Sequence, residues 1–350
     1  MSTISPDPVT WTPSPFRLND PLIVGGVTIR NRVVLAPMSG VSDRPFRNLA
    51  DRFGAGMVVS EMIASEQLSN ADPEAVLKTE RAGNGPFVIQ LAGREACWMA
   101  EGARIAEAHG ADIVDINMGC PARKVTGGSS GSALMRDLSH ALTLIEAVVS
   151  SVKVPVSLKM RLGWDDDSLN APELACRAEN AGVQMLTVHG RTRCQFFKGQ
   201  ANWRAIANVK QAVRIPVIAN GDVTSLDEIR EALALSHADA IMIGRGAYGA
   251  PWAPGSAAND NTDIETQNIQ APPSGLANLV EEHFEAMLRH YGAYLGLRNA
   301  RKHLGWYVAR VHGETNAAQN WRTRLCRGDD PKSVRRDIRR CFGDARQDAA

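Results

Sequence analysis

Residues 112–125 read DIVDINMGCPARKV. The first five mix acidic and β-branched residues as a buried strand can. The run then breaks into Asn117, a glycine, Cys120, a proline and two cations. The same break from an apolar run into polar residues recurs along the chain. Strands are expected at 33–36, 57–60, 87–91, 113–117, 156–159, 185–189, 217–219 and 240–243, with starts roughly 23 to 43 residues apart, the size of a strand–helix unit. Between them, helical patterns such as ACWMAEGARIAEAHGA (96–111) and APELACRAENAGV (171–183) meet a glycine ahead of the next strand, as a helix C-terminus favours. Eight strands alternating with helices predict an α/β fold, a (β/α)8 TIM barrel, with a doubly wound open sheet as the competitor. Polar placement favours the barrel. Asn117, Lys159, His189 and Asn220 fall at or just after the ends of different strands, which a barrel gathers on one face and an open sheet spreads along a line.

The chain has 350 residues, 44% of them hydrophobic, and a net charge of +1, enough for one large α/β domain and a smaller one. Residues 1–17 read as a polar, proline-rich N-terminal extension without the apolar core of a signal peptide. The barrel is expected over 18–252. Residues 253–275, rich in Ala, Asn, Asp, Gln and Pro and without periodicity, read as a flexible linker. A small all-helical domain is expected over 276–345, from LANLVEEHFEAMLRHYGAYLG, ARKHLGWYVARVHG and DPKSVRRDIRRCF. Residues 298–342 hold twelve Lys/Arg against four Asp/Glu, about +8, which leaves about −7 on the remainder. So concentrated a basic segment favours a polyanionic partner, with a merely solvated helix face as the plainer alternative.

The six cysteines form no CxxC pair, which weakens zinc-ribbon and redox-disulfide readings; no metal is expected. No apolar run approaches a membrane span, so a reduced, cytoplasmic protein, a monomer without membrane contact, is expected.

The chemistry begins at VIANGDV (217–223) and IMIGRGAYG (241–249), the seventh and eighth strands breaking into Gly-containing loops. In a barrel those two loops frequently bind phosphate through backbone N–H groups, and Arg245 can add a bidentate contact. Asp222 would repel a phosphate it faced, so hydroxyl or backbone partners are expected for it. Lys159 and Arg161, two apart on a strand, share a side, and cations buried there need an anionic or electron-rich partner. Pro37 and Met38 end the first strand, and a soft Met side chain can pack against a flat ring. Gln90 is a strand-end amide that needs a partner. A heteroaromatic ring with carbonyls and ring nitrogens would satisfy Gln90, Lys159 and His189 together. Such a ring plus a phosphate describes FMN better than a free sugar phosphate. Cys120, on a Gly-Cys-Pro turn, suits either a nucleophile or a proton donor, and a free thiol is mostly protonated at neutral pH. Asn117 offers a donor and an acceptor, which suits the imide edge of a pyrimidine.

From about residue 20 to about 310 the chain carries, in order, LAPMSGVSDRPFR, VIQLAG, DINMGCPARKV, SLKMRLGW, VHGRTR, VIANGDV, IGRGAYGAPW and RNARKHLGWY. With these motifs it resembles the tRNA-dihydrouridine synthases, and most closely their bacterial B-type subfamily. The resemblance implies a flavoenzyme that uses NADPH to reduce the C5=C6 bond of a uridine in tRNA. Carried over by position, Pro37, Met38, Ser39, Gln90 and Lys159 are FMN contacts, as are Asn220, Gly221, Asp222, Gly244 and Arg245, with His189 against the flavin. Cys120 matches the proton donor, and Asn117 and Arg161 match residues that hold the uracil. The helical domain of this family docks tRNA, so Arg298, Arg301 and Lys302 are expected to meet it, with Lys124 and Arg191 from the barrel loops. No separate Rossmann GxGxxG unit for a nicotinamide is evident, so NADPH is expected to reach the flavin at the same open face. Two other functions compete: an FMN barrel reducing a free small molecule of the dihydroorotate type, and a non-catalytic RNA-binding barrel.

Overall fold

The structure is a computed structural model of the chain that describes residues 16–259 and 268–343. A short antiparallel hairpin, β1 (Leu22–Val24) and β2 (Val27–Ile29), precedes the main sheet. The barrel strands are β3 (Val33–Leu35), β4 (Met57–Val59), β6 (Phe87–Ala92), β7 (Ile113–Met118), β8 (Val156–Arg161), β9 (Met185–His189), β10 (Val217–Asn220) and β11 (Ala240–Ile243). All are parallel, and β3 pairs with both β4 and β11 while β4 also pairs with β6, so the sheet closes. The closure excludes the open doubly wound sheet. A two-residue strand, β5 (Ile63–Ala64), pairs with the upper end of β6.

Seven of the eight strands are buried at every position, as expected of a parallel sheet covered on both faces. The lower barrel interior is filled by Val34, Met57, Val88, Ile113, Met185 and Met242, and the hairpin residues Leu22, Val24 and Ile29 join the same cluster. The hairpin, not foreseen from the sequence, therefore plugs the N-terminal end of the barrel. Space for a ligand remains at the other end, where the strands turn polar. Register sets the levels there: Gln90 lies beside Asp115 and Asp115 beside Ser157, then Asn117 beside Lys159, then Arg161 beside His189 and His189 beside Asn220.

The helices expected over 96–111 and 171–183 are Ala96–Ala108 and Ala171–Asn180, each followed by a glycine at positive φ, Gly110 and Gly182. After the barrel come the helices Leu276–His312, Asn316–Arg327 and Pro331–Phe342. The first is broken at Gly292, whose φ of 77° and ψ of 163° are non-helical, into two limbs, in keeping with the two helices that the sequence reading expected. The second escaped that reading because it is polar nearly throughout, with only Ala318 and Leu325 buried. The long helix packs on the barrel helix Arg44–Arg52 through Phe46, whose ring meets those of His283 and His303.

The linker reading of 253–275 needs correction in its described parts. Ala253–Ala258 is a helix with five of its six residues buried, and Ile269 is 1% exposed. Its small residues allow close packing: a Cβ on Gly255 would lie 1.8 Å from the Phe53 carbonyl oxygen. Residues 260–267, like residues 1–15 of the N-terminal extension, lie outside the described residues.

Candidate active site

At the C-terminal ends of the strands lies a cavity of about 800 Å³. It brings together Pro37, Met38 and Ser39 after β3, Gln90 in β6, Asn117 and Cys120 from β7 and its turn, and Lys159 and Arg161 in β8. His189, Asn220, Gly221, Asp222, Gly244 and Arg245 complete the wall from β9, β10 and β11. Side chains from strands far apart in sequence meet here because a closed barrel converges their ends.

Beneath the cavity runs a chain of buried hydrogen bonds. Ser157 Oγ donates to Asp115 Oδ1 and Gln90 Nε2 to Asp115 Oδ2, both at 2.6 Å. Gln90 Oε1 accepts from Asn117 Nδ2 at 2.8 Å, and Asn117 Oδ1 accepts from the backbone N–H groups of Gly119 (3.2 Å) and Cys120 (2.9 Å). Burial pushes the Asp115 carboxyl up, while Gln90, Ser157 and the charge of Lys159 pull the other way. Asn117 thus departs from the reading of a free donor-and-acceptor edge. Its oxygen is spent on the turn that carries Cys120, and one amide hydrogen is left for a ligand.

Cys120 is held from the other side as well. Its carbonyl oxygen accepts from Ser132 Oγ at 2.8 Å and from the Ser132 N–H at 3.1 Å. Arg161 closes the arrangement from below: Nε donates to the Gly119 carbonyl at 2.8 Å, and Nη1 to those of Thr192 (2.8 Å) and Phe196 (2.9 Å). Arg161 is therefore a brace between two loops as well as part of the cavity wall.

The cavity is lined by three cations, Lys159, Arg161 and Arg245, against the carboxylates of Asp222 and Glu228. Burial, aided by the neighbouring Arg161 charge, pushes Lys159 down to about 8, with Asp115 opposing; its Nζ donates to Asn220 Oδ1 at 3.2 Å. Burial and then the charges of Arg161, Lys159, Arg191 and Arg245 hold His189 well below its usual range, so its imidazole is neutral. Arg191 Nη1 points at His189 Nε2 from 3.4 Å, which makes that nitrogen the acceptor. Asp222 contacts neither a hydroxyl nor open solvent alone. It accepts from Arg191, from Arg245 Nη2 at 3.0 Å and from the Ala201 N–H at 2.8 Å. Burial raises Asp222, but these partners outweigh it and keep the carboxylate below its ordinary range. Gly221 is required where it stands: its φ is 123°, and a Cβ would sit 2.8 Å from the His189 ring.

Among the surface cations expected from the sequence, Arg191 is a correction. It is 1% exposed and locked to Asp222 and to the carbonyls of Lys198 and Gly199. Asp222 and two loop carbonyls reclaim what the local sequence GRTR makes look like a surface charge. Arg301 is partly committed as well, to Asp329 at 2.9 Å and the Gly328 carbonyl. Lys124 and Arg298 are exposed, and Lys302 reaches Gly40, beside Ser39 at the rim. Elsewhere in the basic segment, Arg324 pairs with Asp337 and Arg339 with Glu281, so less charge is free than the count implies.

The sequence reading missed Met62, Phe196, Phe197 and Tyr248, which also line the cavity. Phe197 lies under the Arg161 and Arg245 guanidinium groups, 5.5 and 5.4 Å from its ring centre. Two adjacent aromatics in the polar loop CQFFKGQ were the available signal. Tyr248 stacks on Trp306 of the long helix with centroids 4.1 Å apart. Beside it, Arg310 Nη2 donates to the Tyr248 carbonyl at 3.0 Å, while Arg310 Nη1 bonds Gln270, whose Nε2 donates to the Gly246 carbonyl at 2.9 Å. The helical domain therefore braces the loop after β11 directly.

A family model described as "Dihydrouridine synthase (Dus)" matches residues 34–346. The chain is 56% identical over 284 residues to a "Probable tRNA-dihydrouridine synthase" of Rhizobium leguminosarum bv. phaseoli, covering 81% of this chain and 87% of that one. It is 41% identical over 331 residues to "tRNA-dihydrouridine synthase B" of Pseudomonas putida, with 93% and 95% covered. Among solved structures it resembles an old yellow enzyme homologue from Zymomonas mobilis, with a TM-score of 0.50 and 18% identity over 67% of this chain and 90% of that one. At that identity the likeness bears on the barrel fold alone.

Proposed function

The chain belongs to the dihydrouridine synthase family, and from that premise we propose that it is an oxidoreductase that converts uridine in tRNA to 5,6-dihydrouridine, with FMN in the barrel mouth and NADPH as reductant. The observation that carries this reading is that one cavity takes in a polarizable Met38, buried cations and a thiol carried on a rigidly held turn.

The residues fit a flavin. Met38 offers a soft wall for a flat ring. Lys159 supplies a buried positive charge where an electron-rich ring edge would need one, with Gln90 and a neutral His189 as hydrogen-bonding neighbours. Pro37, Ser39 and Asn220 would border the ring, and Gly221, Gly244 and Arg245 would take the phosphate. Asp222 serves by aiming Arg245. Bound flavin would supply a hydride to uracil C6. Cys120 Sγ holds the proton for C5, and the remaining Asn117 amide hydrogen and the Arg161 charge stabilise the carbonyl as negative charge grows on it. Phe196 and Phe197 form an apolar rim that sheds water from the ring edge.

The target uridine must leave its stack to enter the cavity, which costs unstacking energy. Phosphate contacts from Lys124, Arg298 and Lys302 would offset it and make binding salt-sensitive. The direct test is an absorbance spectrum of the purified protein, followed by NADPH and then unmodified tRNA without oxygen. A flavin band that bleaches with NADPH and returns only with tRNA is expected. A flavin that ignores tRNA, or a protein that takes up no FMN, would overturn the proposal.

Lys159 gives a pH dependence with a defined sign. Its folded pKa of about 8 lies below the ordinary lysine value, so it is charged below about pH 8 and neutral above. If only the charged form attracts the electron-rich edge of the cofactor's ring, FMN affinity of the apoprotein should fall about tenfold between pH 7 and pH 9, since about a tenth of a group stays protonated one unit past its pKa. Flavin fluorescence titrations at several pH values measure this, and Lys159→Met should bind weakly and flatten the profile. A wild-type profile that is already flat would refute the role.

A further inference from the structure

Away from the cavity, Asp43, His283 and His303 meet at the seam between barrel and helical domain. One ligand atom from each lies within 4.8 Å of the others, and all three residues are at most 3% exposed. Their hydrogen bonding is incomplete in a specific way. Both ring nitrogens of His303 and Nε2 of His283 are buried without a partner. A buried polar atom without a partner is costly, and two neutral imidazoles, each with one lone pair, beside a carboxylate are the chemical complement of a cation. The outer contacts of His283 and Asp43 match what metal ligands require. His283 Nδ1 meets the Tyr307 hydroxyl at 3.0 Å, and in the tautomer in which Nδ1–H donates to that hydroxyl, Nε2 carries the free lone pair. Asp43 is itself oriented, accepting from the Phe46 N–H at 3.0 Å and the Tyr291 hydroxyl at 3.1 Å. Burial keeps both imidazoles neutral, the form that ligates: His283 is pushed down to about 3 and His303 well below its usual range. Of the other charges facing the group, Glu61 adds a negative charge and Arg47 and Lys302 oppose a cation.

We propose that Asp43, His283 and His303 bind a divalent transition metal ion, zinc by preference, that fastens the helical domain to the barrel. Two imidazoles and a carboxylate are a ligand set zinc accepts, with bonds of about 2.0–2.2 Å and a fourth position for water. Movements of about an ångström would bring the three atoms to such distances. The placement gives the ion a structural purpose. Asp43 caps the barrel helix Arg44–Arg52, while His283 and His303 stand on opposite sides of the Gly292 kink, so one ion ties the barrel to both limbs of the bent helix. This departs from the expectation of no metal, which rested on cysteine spacing; the ligands here are far apart in sequence and include no cysteine.

The test is independent of activity. The full chain, purified without a metal-affinity step, is analysed for total metal by mass spectrometry, both as isolated and after unfolding with a chelator and refolding with zinc chloride. About one zinc per chain is expected in at least the refolded sample, with a melting temperature that rises with added zinc. His303→Gln and Asp43→Asn, each measured separately in case one fails to fold, should lose the ion and that response. Wild-type protein without stoichiometric metal after refolding, or variants that keep as much as wild type, would overturn the proposal and assign the orphan nitrogens to buried water.

Discussion

Cys120→Ala protein should keep its flavin and accept electrons from NADPH as the wild type does, yet form dihydrouridine roughly 10²–10⁴-fold more slowly, the usual worth of a positioned general acid. The side chain is small and its position is fixed by the backbone. Asn117 holds the residue's N–H and Ser132 its carbonyl, and neither bond involves the thiol. Removing Sγ therefore deletes the proton source without loosening the turn. Gly131 packs against this turn at a φ of 60°, where a Cβ would lie 2.8 Å from the Cys120 carbonyl oxygen, so the backbone on that side is equally constrained. Rapid-mixing measurements separate the two halves of the reaction. Flavin reduction by NADPH should be unchanged, and reoxidation by tRNA should be slow. Reoxidation at the wild-type rate would mean that another group or water protonates C5.

How far the molecule could be read beforehand depended on the range of the interactions involved. Strand cores such as 185–189 and 240–243 were legible to the residue, because a strand buried on both faces declares itself in a short apolar run. The polar strand ends were legible too, and closure of the barrel gathers them into one cavity. Features made by contacts between distant segments were not. Arg191 has the local sequence of a surface cation and became buried because Asp222, thirty-one residues on, receives it. The helix Ala253–Ala258 has no periodic pattern because its small residues let a backbone pack against Phe53 instead of side chains packing against side chains. Asp115 is the one acidic residue of the strand Ile113–Met118, and only the register with Gln90 and Ser157 makes it the base of the hydrogen bonds that end at Cys120. The seam of Asp43, His283 and His303 likewise spans 260 residues of sequence and has no local signature.

Arg161→Met should be the most damaging single change at the site, affecting both stability and turnover. The side chain is 1% exposed, and its guanidinium satisfies three carbonyls, those of Gly119, Thr192 and Phe196. Methionine keeps much of the volume but donates nothing. Each carbonyl left without a partner costs about 1–3 kcal/mol, so a loss of about 3 kcal/mol or more is expected even if water reaches one of them. The loss of a buried positive charge pulls the other way. Burial and the neighbouring Arg191 already push Arg161 down to about 10, so removing it relieves some repulsion, but the oriented hydrogen bonds should dominate. Turnover should fall by at least about 10², because the turn of Cys120 and the loop of Phe196 and Phe197 lose the brace that sets their separation, and a misplacement of about 1 Å can cost that much. Arg161→Lys is the discriminating variant. A single ammonium cannot reproduce a planar fork that reaches carbonyls on two loops, so lysine should recover charge without recovering stability. Denaturant midpoints, with tRNA turnover measured on the same samples, decide the matter. A lysine variant as stable and as active as wild type would show that charge alone, and not the brace, is what Arg161 provides.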